Sequence, residues 1–227
     1  MNDFDWKNLL DPLFYIHFDV NGIKLGLFIV LFIVFAETGL FAGFFLPGDS
    51  LLFLAGIYNR ELMENIVFIN SSFLNVTLLS TLVALAGILG NTIGYWFGLK
   101  SGNYLYNRED SFLFKKKYLI QSKTFFEKHG GRAIIFARFL PIFRTFAPIV
   151  AGIVMMEKKK FMFYNVLSSF LWAFSLIFAG HYLYGFLLAN YQIDLKEHIE
   201  LIVIGLVAIT VLPVILKFAK KSPPEEV

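Results

Sequence analysis

The chain has 227 residues, 57% of them hydrophobic, 18% aromatic and only 16% charged, with a formal net charge of +3 and no cysteine. Such a balance excludes an ordinary soluble domain and makes a lipid bilayer the natural solvent. The missing cysteine excludes disulfides, thiolate metal sites and thiol redox chemistry, and the net charge says less as a sum than through its distribution.

In chain order, residues 1–24 carry Asp3, Asp5, Asp11 and Asp19 among apolar positions. They read as an interfacial amphipathic segment, because a cleavable signal would begin with basic residues and a short apolar run. Residues 26–57 are apolar but hold Glu37, Pro47, Gly48 and Asp49. Residues 76–99 are uncharged and, at about 1.5 Å per residue, long enough to cross a hydrocarbon core of about 30 Å. Residues 100–132 then carry eight basic residues against three acids, which places them in the cytoplasm by the positive-inside rule. Their aromatic residues, among them Phe112, Tyr118, Phe125 and Phe126, alternate with lysines. The pattern predicts amphipathic helices on an anionic leaflet, and lipid accounts for it without nucleic acid. Residues 133–156 are again apolar but hold Arg138, Pro141, Arg144 and Pro148. An uncharged span over 161–188, running on toward Gln192, a C-terminal span over 199–217 and a cytoplasmic tail over 218–227 complete a single membrane domain.

The two proline-bearing stretches do not read as simple spans. Proline removes a backbone donor and breaks the helical ladder, and Gly48 adds a second weak point. Broken backbone at membrane depth is tolerated only where protein or a water-filled cavity satisfies the freed groups. Residues 26–57 and 133–156 are therefore expected to be re-entrant hairpins, broken at Pro47, Gly48, Pro141 and Pro148. A hairpin over 133–156 also keeps the basic cluster before it and Lys158, Lys159 and Lys160 after it on one side of the membrane.

The two units resemble each other. Ala42 to Pro47 followed by Ala55-Gly56-Ile57 matches Ala137 to Pro141 followed by Ala151-Gly152-Ile153, and the long spans end in the runs Gly94 to Gly98 and Gly180 to Gly185. Opposite orientation by the charge rule makes this an inverted repeat, whose site lies near the midplane between broken helices. The expected fold is an all-α polytopic membrane protein: two re-entrant hairpins, each followed by a transmembrane helix, plus one further C-terminal transmembrane helix.

Glu37, Asp49, Arg138 and Arg144 are the strongly ionisable residues inside the apolar stretches. An ionised side chain at the bilayer centre costs about 2.5 to 3.5 kcal/mol on insertion scales, so four such groups require a use. One use is structural, as ion bridges that lock the hairpins. The other is functional: Arg138 and Arg144 offer planar donor forks that match a phosphate head group, and Glu37 and Asp49 carry protons coupled to substrate movement. Gly87, Gly90, Gly94, Gly98 and Gly102 form a close-packing face. Asn91 and Asn165 read as packing residues, and His181 reads as an interfacial or satisfied structural residue ahead of a proton relay. No metal-ligand cluster, dinucleotide loop or hydrolytic constellation is present, so neither a cofactor nor enzyme activity is expected.

At the hairpins the sequence resembles the DedA family, the bacterial branch of the SNARE-associated Golgi protein (VTT) domains. Glu37 with Phe45-Leu46-Pro47-Gly48-Asp49 resembles its first signature, and Phe136 to Arg144, with Pro148, Ala151-Gly152 and Met155, its second. Tyr95 to Gly98 and Phe125 to Gly131 also fit, so the likeness spans residues 30 to 185. Asn91 stands where many members have Asp, Ser168 and Ser169 where glycine is expected, and His181 where an aromatic is usual. The resemblance implies a multi-pass bacterial inner-membrane protein with two opposed re-entrant hairpins and dependence on the proton-motive force. It implies a lipid-phosphate translocase for undecaprenyl phosphate or a phospholipid, with Glu37, Asp49, Arg138 and Arg144 on functional positions. Lipid phosphate, protons and membrane lipids are then its partners, and a homo-oligomer is compatible with this reading. The rival readings are a proton-coupled carrier of a small ion and a non-transporting membrane scaffold.

Overall fold

A computed structural model describes residues 12–20, 22–39, 48–64, 70–107, 116–199 and 205. The described chain is almost wholly helical. Its helices are α1 (Pro12–Ile16), α2 (Gly26–Gly39), α3 (Gly48–Ile57), α4 (Asn59–Met63), α5 (Ser72–Asn107), α6 (Lys116–His129), α7 (Arg132–Arg138), α8 (Pro141–Ile153) and α9 (Lys158–Tyr191), followed by a 3-10 turn at Leu195–His198. The all-α expectation misses one detail: β1 (Asp19–Val20) pairs antiparallel with β2 (Ile23–Lys24) around Gly22, which turns with φ 81°. Pro47, most of the C-terminal span 199–217 and the tail 218–227 lie outside the described residues.

Among the described residues two helices are long and apolar enough to cross a membrane, over Ser72–Gly102 and Lys158–Tyr191. At 1.5 Å per residue the 36 residues of α5 and the 34 of α9 reach about 50 Å each, well beyond a hydrocarbon core of about 30 Å. The helix therefore runs past the uncharged stretch at both ends, and Lys100 to Asn107 continue α5 instead of opening a separate segment. By contrast α2, α3, α7 and α8, with 14, 10, 7 and 13 residues, fall short of the roughly 20 residues a span needs.

The second pair breaks at Phe139–Leu140, where Leu140 is extended and Pro141 takes the first helical position of α8, the one place where a missing N–H costs nothing. Pro148 does not break anything. It lies buried inside the continuous helix α8, which gives up a single ladder bond there and is held by its packing along α5. After α8 the chain reverses tightly: Met155 adopts φ 57°, and the Met156 N–H returns to Ala151 O at 2.9 Å.

Close backbone approach sets the architecture. Helix α2 packs on α5 and α7 packs on α9, whereas α3 crosses to α9 and α8 crosses to α5. At Gly56 a Cβ would strike the Ile177 carbonyl, with the His181 nitrogen next; at Gly152 it would strike the Tyr95 carbonyl, with the Leu99 nitrogen next. Reciprocally, a Cβ at Gly180 would fall on Phe53 O and one at Gly98 on Ile149 O. Phe53 and Gly56 thus correspond to Ile149 and Gly152, and Ile177, Gly180 and His181 correspond at one constant offset to Tyr95, Gly98 and Leu99. Gly87 and Ser169 are counterparts under that same offset, and they face each other where α5 crosses α9.

The glycine stripe of α5 is thereby accounted for: Gly90 seats α2 at Thr38 and Gly39, and Gly94, Gly98 and Gly102 seat α8. At the far end of the spans His181 joins three elements. Its Nε2 lies 2.9 Å from Ser72 Oγ and its Nδ1 lies 3.0 Å from Asn59 Nδ2, an amide that also donates to Gly56 O at 2.7 Å. The N-terminal segment is docked, with Tyr15 and Ile16 buried in the main core beside Leu27, Leu54 and Met63.

These contacts predict opposite effects for two glycines of one helix. Gly180→Ala drives a methyl into the backbone of α3 and lowers the melting temperature of the protein in detergent. Gly185 has nothing within 4 Å of its added Cβ, so Gly185→Ala gains helix propensity, worth about 1 kcal/mol, and melts at the same or a higher temperature. Equal effects would refute the close crossing of α3 and α9.

Candidate functional site

The ends of α2, α3, α7 and α8 bring all four intramembrane charges into one region. Asp49 stands in the first turn of α3 and Arg138 ends α7, so each lies at the helix end whose dipole favours its sign. Glu37 lies in the last turn of α2 and Arg144 in the first turn of α8, where the dipoles oppose them and pairing must compensate. Among the described residues Arg144 supplies that pairing. Its Nη2 donates to Glu37 Oε1 and its Nη1 to Asp49 Oδ1, so one guanidinium fork holds both carboxylates. Gly48 clears the space, since a Cβ there would fall on the Glu37 carboxylate. Its absent side chain lets Glu37 approach the positive end of α3.

Trp172, at mid-length in α9, organises the other side. Its Nε1 donates to Asp49 Oδ1 at 2.9 Å. The guanidinium carbons of Arg138 and Arg144 lie 4.6 and 5.0 Å from its ring centroid, within cation–π reach. The ring is 1% exposed, so both arginines meet it without water between. Nothing in the sequence singles Trp172 out among so many aromatics; the available signal was a tryptophan at the centre of an uncharged span, where its N–H needs a buried acceptor.

The arginines therefore differ. Arg144 is committed to the carboxylates, while Arg138, 2% exposed, has no acceptor among the described residues for Nε, Nη1 or Nη2. Its guanidinium lies against Gly87, where any side chain would collide with it. Buried cations are ordinarily paired, which sets Arg138 apart from Arg144. Glu37 Oε2 and Arg144 Nε are likewise buried and unpartnered. One turn along α5 from Gly87, Asn91 Nδ2 donates to Asn165 Oδ1 at 2.7 Å, while Asn165 donates to Ile88 O at 3.1 Å and to Thr92 Oγ1 at 3.4 Å. That network ties α5 to α9 beside the crossing and leaves Asn91 Oδ1 without a donor. Among the described residues no three His, Asp or Glu side chains converge on a possible metal. The donors at hand suit an oxyanion.

Removing the two arginines should have opposite effects on stability. Arg144→Met leaves the buried Glu37 and the partly exposed Asp49 without their cation, which costs about 3 to 5 kcal/mol, and the melting temperature in detergent falls. Arg138→Met removes a buried cation that lacks an acceptor, so the melting temperature holds or rises. A drop as large for Arg138→Met as for Arg144→Met would contradict the division of labour between them.

The VTT domain family matches residues 46–182. The chain is 35% identical over 214 residues to Protein DedA of Escherichia coli strain K12, covering 91% of both chains. It is 34% identical over 207 residues to the uncharacterized membrane protein ML0287 of Mycobacterium leprae, covering 91% of this chain and 86% of the relative. It is 30% identical over 179 residues to the inner membrane protein YqjA of Escherichia coli strain K12, covering 79% of this chain and 73% of the relative. No solved structure matches. Likeness along nearly the whole length, relatives of the bacterial inner membrane and two spanning helices agree: the chain is a multi-pass inner-membrane protein that belongs to the DedA family of VTT-domain proteins.

Proposed function

We propose that this protein carries a phosphate-bearing lipid across the inner membrane, with undecaprenyl phosphate or a phospholipid as cargo and protons as the coupling ion. The observation that carries this reading is the buried Arg138 guanidinium, which has no acceptor among the described residues beside a neighbouring arginine that has two. A scaffold locked by ion bridges would leave no cation idle. The two helix pairs, 26–57 and 133–156, act as opposed re-entrant hairpins of an inverted repeat. Support for this comes from the reciprocal seating of Gly56 and Gly152 on the opposite spans and from helices too short to cross alone.

Charge balance supplies the coupling. Glu37, Asp49, Arg138 and Arg144 sum to zero. A proton on Glu37 loosens its hold on Arg144 and leaves the region with one net positive charge, which a phosphate monoanion then cancels. Arg138 takes the phosphate first, and the released arm of Arg144 joins it as a second fork. Proton and phosphate thus enter together, and neither is comfortable alone in a low-dielectric interior.

The test is translocation of a labelled polyprenyl phosphate by purified protein in liposomes, with and without a pH gradient. Arg138→Met should reduce transport by about tenfold or more, the scale of losing one charge-assisted contact. Glu37→Gln imitates the protonated state, so it should still bind the lipid but lose its response to the gradient. Full transport by Arg138→Met would end the phosphate reading, and an unaltered gradient response in Glu37→Gln would end the coupling reading.

A further inference from the structure

Away from the charged region, α5 and the start of α9 border a cavity of about 380 Å³, lined by Thr92, Ile93, Tyr95, Trp96, Leu99, Lys158 and Met162. Its back wall is closely packed. Tyr95 stacks on Phe161 with ring centroids 4.2 Å apart and donates to Met156 O at 2.5 Å, and the Thr92 hydroxyl lies 3.7 Å from Met162 Sδ. Its outer wall is apolar and open, since Ile93, Trp96 and Leu99 are all exposed on the flank of a spanning helix. Its mouth is cationic. Lys158 lines it, Lys159 and Lys160 follow on the same helix, and Lys100 Nζ sits 3.6 Å over the ring of Trp96. No carboxylate lines the cavity, and neither Lys100 nor Lys158 makes an ion pair among the described residues.

We infer that this groove binds an anionic glycerophospholipid, with one acyl chain lying along Ile93, Trp96 and Met162 and the headgroup phosphate held between Lys158 and Lys100. Three features select this occupant. An apolar trough on the flank of a spanning helix faces hydrocarbon, so it takes a chain and not a water-soluble anion. A tryptophan beside lysines marks the headgroup level of a membrane. Basic clusters on the cytoplasmic side attract anionic lipid, and the charge distribution puts this end of both spans on that side. Held there, the lipid bridges α5 and α9 where the Asn91–Asn165 contact joins them further inward. The site is separate from the Arg138 region and does not depend on what that region carries.

The test is native mass spectrometry of the purified protein in detergent, equilibrated with phosphatidylglycerol or phosphatidylcholine of identical chains. Phosphatidylglycerol should be retained in preference. Reversing both mouth charges, Lys100→Glu with Lys158→Glu, should lower its retention about tenfold. The filling variant Ile93→Trp should lower retention of both lipids. The lysines are at the surface, so the charge-reversed protein folds even if the filled one does not, and thermal melting in detergent checks this. Equal retention of the two lipids would overturn the inference. So would unchanged phosphatidylglycerol retention in the charge-reversed protein, or an equal loss on reversing Lys24 and Arg60 at the other end of α5.

Discussion

A guanidinium shared between two carboxylates is the contact around which the rest of the fold is arranged. Arg144 enters from the first turn of α8, Glu37 from the last turn of α2 and Asp49 from the first turn of α3. Glu37 and Arg144 sit against the dipoles of their own helices and depend on the pairing, whereas Asp49 is already favoured at the start of α3. The cost of desolvating such a group is returned only when geometry is close and remaining donors are met. Hence the supporting features: Gly48 yields its volume to Glu37, and Trp172 gives its N–H to Asp49 and its face to both arginines. Arg138 is the member left without a hydrogen-bond acceptor among the described residues.

The second constraint is backbone proximity. Membrane helices have no hydrophobic force pulling them together in lipid, so small residues and direct contact must do that work. Here the contact is reciprocal, with Gly56 and Gly180 closing the α3–α9 crossing and Gly152 and Gly98 closing the α8–α5 crossing. Ser169 departs from that economy. It stands opposite Gly87 at the crossing of the spans, and its hydroxyl lies 3.4 Å from Asn165 Oδ1. The serine trades some closeness for a polar contact beside Arg138.

Much of this was legible in the sequence because membranes leave strong marks. Uncharged length announced α5 and α9, and the rarity of charge in apolar stretches pointed at Glu37, Asp49, Arg138 and Arg144 before any contact was known. The partition among those four was not legible. Arg138 and Arg144 flank Pro141 at similar distance, and spacing along a chain cannot say which guanidinium meets a carboxylate about a hundred residues away. Pro148 was misread for a related reason: proline removes one ladder bond wherever it occurs, but whether the helix yields depends on its neighbours, here the glycine face of α5. Trp172 was hidden by abundance, since tertiary placement alone separates it from the other aromatic residues. His181 was read as structural, and both of its ring nitrogens are occupied.

The crossing of each second arm onto the opposite span has a consequence for how the molecule is made. Helix α3 leaves the ribosome long before α9, the surface it packs against, exists. Asp49 precedes Arg144 by 95 residues, which at 5 to 20 residues per second is about 5 to 20 s of synthesis. Throughout that interval Glu37 and Asp49 lack the guanidinium that pairs with them in the finished fold, and the main core lacks Trp172, Ala173 and Ile177 of α9. The contacts that join the two halves can therefore form only after the second has been made.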